Sequence, residues 1–267
     1  MKTTSLDDEW AAGDAYEAFM GRWSHLLAEE FIRWLDSEPG LTWLDVGCGT
    51  GALVSAISNL ADPSSVIACD SSESFVYHAR RRIVDLRVSM VVAEADGLPE
   101  NPSGFQLVVS GLVLNFLADP RLAVGKMRAR ARPGGIVAAY VWDYAGRMEH
   151  LRIFWDEAVA MDPSARELDE GVRFSMCRRD ALESIFRGAG MRDVRSDAVG
   201  IHMRFETFSD YWQPFLRGTG PAPSYVTSLS GEMRAELRGR LESRLAVGSE
   251  GVIALAARAW AVRGTAP

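Results

Sequence analysis

The run Thr42–Trp43–Leu44–Asp45–Val46–Gly47–Cys48–Gly49–Thr50–Gly51 joins a short apolar strand to glycines at alternate positions and then to a helical pattern. Glycines spaced in this way let the backbone turn sharply and approach a ligand where any Cβ would collide or forbid a positive φ. Strand, glycine loop and helix in that order open a parallel α/β sheet and suit a nucleoside-bearing ligand. Asp45 at the strand end repels a pyrophosphate but suits a cationic group or a ribose hydroxyl. The G-x-G-x-G spacing is also one residue short of the dinucleotide fingerprint, which makes a nicotinamide-dependent oxidoreductase the weaker reading.

Three further strand ends support this frame. Val66–Ile67–Ala68–Cys69–Asp70 is an apolar run ending in an acid about twenty residues past the loop, the offset at which a carboxylate accepts from ribose hydroxyls. The plainer reading of Asp70 is an acid opening a turn, with Ser71 and Ser72 suited to a helix N-cap. Val91–Val92–Ala93–Glu94–Ala95–Asp96–Gly97 predicts a third strand ending at Ala95–Asp96, with Asp96 free to meet an adenine amino group. Phe105–Ser110 predicts a fourth strand, followed by the apolar segment Gly111–Leu117. Four strand ends then converge on one crevice.

The series LDVGCGTG, ACDSSE, EADGLP, FQLVVSGLVLNF and RPGGIVAAYVWD resembles the class I S-adenosylmethionine-dependent methyltransferases, in particular their ubiquinone/menaquinone-biosynthesis-like, small-molecule branch. The segments YEAFMGRWSHLLAEEFIRWL, FSDYWQPF and ALAARAWAVRG are similar to the same branch, so the resemblance spans nearly the whole chain. It implies that Asp45 and the loop Gly47, Cys48, Gly49 and Gly51 hold the methionine part and ribose of S-adenosylmethionine. It also implies Asp70 with Ser71 for the ribose, Ala95, Asp96 and Gly97 for adenine, and Ser110 or Gly111 around the amino-acid moiety. Cys69 departs from the pattern, standing where a small or β-branched residue is frequent. The fold implied is a doubly wound, mostly parallel seven-stranded α/β sheet, Rossmann-like, with an antiparallel final strand and a helical lid insertion.

Along the chain, residues 1–36 form an N-terminal helical cap, 37–145 the cofactor-binding core, 146–206 the acceptor-side half of the sheet, 207–250 the helical lid and 251–267 the final strand, all within one domain. The cap is predicted as two helical pieces with Tyr16, Phe19, Met20 and Trp23 in one apolar stripe and Ser24 capping the second piece. Met20–Trp23 is expected either to pack on the sheet or to cover the cofactor, with Arg22 pairing the methionine carboxylate. Asp119–Pro120 starts a helix, Pro133–Gly134–Gly135 turns into a strand at Ile136–Trp142, and strands recur near Asp193–Val199 and Val252–Val262. Strands alternating with helices predict right-handed parallel crossovers.

With 267 residues, 48% of them hydrophobic, the chain can bury a substantial core. A net charge of −7 gives no footprint for nucleic acid, and the run Arg80–Arg81–Arg82 is expected on the solvated face of a helix. No stretch is apolar enough to span a bilayer, and the first ten residues lack a secretion pattern, so a cytoplasmic monomer or homodimer is expected. Three scattered cysteines argue against a disulfide framework, and nothing has metal-ligand spacing.

In-line attack on a sulfonium methyl needs alignment, exclusion of water and a place for a proton. Orientation alone can lower a barrier by roughly 7–11 kcal/mol. If a base is used, His150, His202 and Asp143 are the candidates, while His25 and His78 lack a suitable setting. Trp23, Phe116, Trp142 and Tyr144 are candidate aromatic faces for the sulfonium. The expected activity is methyl transfer to a small organic acceptor, and the alternative is a cofactor-binding pseudo-enzyme acting as a sensor or partner subunit.

Overall fold

The computed structural model describes residues 16–94, 97–217, 220–245 and 252–267. The glycine-loop strand, β1 (Thr42–Val46), is an interior strand of a seven-stranded sheet of order β3-β2-β1-β4-β5-β7-β6. Its neighbours are β2 (Ser65–Asp70) and β4 (Phe105–Gly111), with β3 (Val88–Val92) beyond β2 and β5 (Ala131–Trp142) beyond β4. All four of these pairings are parallel. The last strand, β7 (Ile253–Thr265), runs antiparallel between β5 and β6 (Arg192–Phe205). The order therefore reverses at β1 and β4, which opens a crevice at their carboxyl ends.

The helices follow from the sequence pattern. α1 (Arg22–Leu35) buries Trp23, Leu27, Ala28, Phe31 and Leu35 at helical spacing. α2 (Ala52–Leu60) follows the glycine loop and buries Leu53, Val54, Ala56 and Ile57. In α3 (Glu73–Arg82), the Ser72 hydroxyl caps Phe75 N–H. α4 (Pro120–Arg130) opens as expected, with Asp119 accepting from Leu122 N–H at 2.8 Å and proline in its first turn. α5 (Glu149–Met161), α6 (Glu170–Arg173) and α7 (Arg179–Gly188) lead into β6. α8 (Phe208–Trp212), α9 (Pro221–Ser228) and α10 (Gly231–Arg244) lie between β6 and β7.

Among the described residues, the cap is one continuous helical run rather than two pieces. A π-helical turn, Glu17–Gly21, feeds directly into α1. Ser24 is an interior residue whose hydroxyl pairs with Tyr16 Oη at 2.6 Å, so it is not a cap. β3 spans Val88–Val92 and ends before Ala93, because its pairing keeps step with β2 and stops where Asp70 meets Val92; the expected end at Ala95–Asp96 lies outside the described residues. β5 starts at Ala131, before the Pro-Gly-Gly turn, since Ala131 pairs with Phe105 and a register shift between Phe105 and Leu107 absorbs the turn.

The 207–245 helices meet α5 through an aromatic interface. Phe154 stacks on Phe215 with centroids 4.6 Å apart, and Tyr211 Oη donates to the His150 carbonyl at 2.9 Å. Arg244 pairs with Asp156 at 2.8 Å and with Glu157 at 2.9 Å. Trp155, Trp212 and Tyr225 are buried in the same packing, so these aromatics form core. Among the described residues, no helix is long and apolar enough to cross a membrane.

Candidate active site

The carboxyl ends of β1, β2 and β4 surround a cavity of about 360 Å³. The glycine loop forms its floor. Gly47 N–H and Cys48 N–H both donate to the Cys69 carbonyl, at 2.8 and 2.9 Å, which folds the loop back against β2. Gly47 has φ of +78°, and a Cβ there would lie 2.6 Å from Val113, so only glycine permits this turn. Asp70 joins loop to sheet: Oδ2 accepts from Gly49 N–H and Oδ1 from Ser72 N–H, each at 2.9 Å. Burial raises the Asp70 pKa, and these amide hydrogen bonds oppose the rise.

The cavity brings together Gly47, Cys48, Gly49, Asp70, Ser71, Ser110 and Gly111 of the residues expected from sequence. Ala95 and Asp96 lie outside the described residues. Gly97 is exposed beside the cavity, and Gly51, the N-cap of α2, is buried behind it. Asp45 lies beneath the loop, wholly buried, with neither carboxylate oxygen hydrogen-bonded. Burial first, and then the nearby Asp70 carboxylate, push its pKa up to about 8.

An acid that ionises near 3.8 when unfolded and at about 8 when folded is protonated in the native state throughout that window. Unfolding then releases a proton, so the native state loses stability as pH rises from about 4 to about 8, by up to ~1.4 kcal/mol per unit. Asp45→Asn should accordingly gain on the wild type with each step from pH 5 to 6.5 to 8 in urea denaturation. A difference that does not vary with pH would mean that Asp45 is charged in the folded protein.

Four further expected site residues do not reach the cavity wall. Arg22 pairs with Asp210 at 3.0 Å and stacks on Trp23 and Phe205, 4.2 and 4.8 Å from their ring centroids, so its charge is spent on the 207–245 segment. Asp143 accepts from Gly146 N–H at 3.1 Å and from the Arg258 guanidinium, which ties the end of β5 to β7. His150 is buried in α5 beside Phe19 with both ring nitrogens unpartnered. Burial, with the Arg22 charge, lowers its pKa to about 3, which keeps the ring neutral. His202 is exposed on β6 at the sheet edge. Among the described residues of 207–245 none lines the cavity, and these helices dock on α5.

Other residues complete the wall. Tyr16 and Ser24 come down from the cap, and Tyr140 from β5. Leu112, Phe116 and Lys126 lie along the far side, and Glu94 follows β3. Leu112 has φ of +61°, a rare value for a branched side chain, held by its N–H on the Tyr140 carbonyl at 2.8 Å. The spacing Ala123, Lys126, Met127 on one face of α4 was a sequence signal for Lys126. Tyr16 and Ser24 stand eight residues apart, on a face that only the π turn aligns. Of the aromatic faces proposed for the sulfonium, Phe116 lines the cavity, whereas Trp23, Trp142 and Tyr144 are packed in the core.

Residues 44–139 match the family model described as a methyltransferase domain. Among curated proteins, the chain is 34% identical over 113 residues to a 37.1 kDa protein of a Streptomyces fradiae transposon, a match spanning 41% of this chain and only 33% of that protein. It is 27% identical over 183 residues to the ubiquinone/menaquinone biosynthesis C-methyltransferase of Burkholderia multivorans, covering 62% of this chain and 75% of the relative. Among solved structures, it resembles the methyltransferase bound to the Trm112 activator in a Haloferax volcanii complex, with TM-score 0.61, 19% identity and 97% of both chains covered. It also resembles phosphoethanolamine N-methyltransferase 2 of Haemonchus contortus, solved with S-adenosylmethionine, at TM-score 0.59 and 15% identity over 98% of this chain and 59% of that one. Residues 44–139 thus carry a methyltransferase domain, and motifs, strand order and cavity together make the chain similar to the class I S-adenosylmethionine-dependent methyltransferases.

Proposed function

We propose that the protein methylates a small, partly apolar organic acceptor by orienting it, without a protein base. The residues present fit the cofactor. Asp45 and Ser110 are buried polar groups with no partner beside the loop, and Gly47 leaves a cradle that a Cβ would fill. Bound there, S-adenosylmethionine supplies an electrophilic methyl on a sulfonium. In this reading Asp70 and Ser71 hold the ribose, the Gly47–Gly49 backbone and Ser110 pack against the methionine part, and Leu112, Phe116 and Leu98 flank the adenine. Tyr16, Ser24 and Tyr140 then face the acceptor and exclude water.

One observation carries the base-free mechanism. None of Asp143, His150 and His202 lines the cavity, and among the described residues no other histidine does. The two thiols in the wall, Cys48 and Cys69, are pushed up by burial, Cys69 to about 12. Tyr16 is likewise raised to about 12 by burial. At neutral pH these groups donate or stay inert, and in this reading the wall carboxylates Asp70 and Glu94 lie at the cofactor end, so the acceptor brings its own lone pair or anion.

The test is transfer of radiolabelled methyl to a panel of phenols, enols, amines and carboxylates, followed by a pH profile on each active acceptor. The rate should rise with the ionisation of the acceptor and shift when a more acidic analogue is used. A profile with one fixed inflection for every acceptor would reveal a protein base. Cofactor binding without transfer to any member of the panel would overturn the acceptor assignment.

A further inference from the structure

Glu17 lies outside the cavity wall, yet it joins three elements. In the π turn before α1, its Oε1 accepts from the Thr50 hydroxyl at 2.5 Å. Its Oε2 lies 3.1 Å from Arg82 Nη1 at the end of α3 and 3.7 Å from His25 Nε2 in α1. The carboxylate is only 16% exposed. Room for it exists because residue 21 is glycine, since a Cβ there would stand 2.5 Å from Glu17 Oε2. A π turn adds a residue to the helix and is frequent where a side chain must be re-aimed for function.

Thr50 stands in the cavity wall between Gly49 and Gly51, whose φ angles are +53° and +93°. Such a loop has much backbone freedom to lose on binding. Asp70 holds it from β2 through Gly49 N–H, and Glu17 holds it from above through Thr50. The cap residues Tyr16 and Ser24, which flank Glu17, form the roof of the same cavity.

We infer that Glu17 is a positioning residue: through Thr50 it fixes the glycine loop in its ligand-ready form and locks the cap helix over the cavity. The inference rests on the reading that this cavity takes S-adenosylmethionine. Glu17 touches no ligand in this account. Its contribution is pre-organisation, which appears as affinity because less freedom remains to be lost on binding.

The experiment measures S-adenosylmethionine and S-adenosylhomocysteine affinity by calorimetry, with amide hydrogen exchange of residues 47–51 in the ligand-free protein. Glu17→Ala and Thr50→Val should each weaken binding about tenfold, as expected for a hydrogen bond to a charged group. The double variant should be no weaker than either single one, because both remove the same link. Loop exchange should quicken in all three, and Thr50→Ser, which keeps the hydroxyl, should bind as the wild type does. Affinities within twofold of wild type, or additive losses, would overturn the inference. So would a Glu17→Ala variant that melts earlier while Thr50→Val binds normally. If wild-type protein fails to bind the cofactor, the functional reading falls, while the exchange data still test the tether.

Discussion

Asp70→Ala is expected to weaken S-adenosylmethionine binding about 100-fold while leaving the protein folded. The Asp70 carboxylate accepts from Gly49 N–H and Ser72 N–H and lines the cavity. Its removal leaves two amides without their acceptor, loosens the glycine loop and takes away the acceptor proposed for the ribose. Each charge-assisted bond is worth about 1.5–3 kcal/mol, and a net loss of about 3 kcal/mol corresponds to two orders of magnitude in Kd. Asp70→Asn keeps one carbonyl oxygen and should lose about tenfold. Titration calorimetry decides the matter, with circular dichroism as the control for folding. Both variants binding within twofold of wild type would remove Asp70 from the ribose site. Because burial raises the Asp70 pKa, affinity should also decline on the acid side earlier than it would for an exposed aspartate.

Breaking the Asp143–Arg258 pair should have the largest effect on stability and little on cofactor binding. The Asp143 side chain is 5% exposed and that of Arg258 30%, with the guanidinium also lying over Trp260 at 4.5 Å from the ring centroid. Arg258→Met would strand a buried carboxylate whose remaining partner is Gly146 N–H. Removing one member of a buried pair costs about 3–5 kcal/mol. Allowing for the partial exposure of Arg258, about 2–4 kcal/mol remains, a fall in Tm of roughly 10 °C for a chain of this size. Adding Asp143→Leu to Arg258→Met should restore part of the loss by removing the orphaned charge. Thermal and urea denaturation measure the stability, and calorimetry should find cofactor affinity within twofold of wild type. Normal stability with lost methyl transfer would instead make Asp143 part of the chemistry.

The parallel half of the sheet and most of the cavity wall around the glycine loop were legible because each signal was local. A strand, a glycine loop and a helix occupy consecutive residues, and their geometry follows from the absence of Cβ atoms and the period of the apolar side chains. Asp70 was recognisable by its distance along the chain from that loop, and Asp119–Pro120 by capping chemistry that spans three residues. The acceptor side was less legible. Asp143, His150 and His202 are chemically capable side chains at plausible places in the order of elements, but capability says nothing of direction. The antiparallel β7 claims Asp143 through Arg258, the aromatic packing around Phe19 encloses His150, and the alternation of β6 turns His202 outward. Arg22 likewise had a charge suited to a carboxylate, and the carboxylate it meets is Asp210, 188 residues away.

By itself, then, the sequence determined the class of sheet, the glycine turn and the kind of ligand it can approach, since these depend on backbone freedom and side-chain period within short stretches. Tertiary structure alone decided which polar groups face the cavity, that residues 207–245 dock on α5, and that a π turn aims Glu17 at Thr50. Those outcomes depend on contacts between distant segments. There the cost of leaving a buried charge or a large aromatic surface without a partner outweighs any local preference.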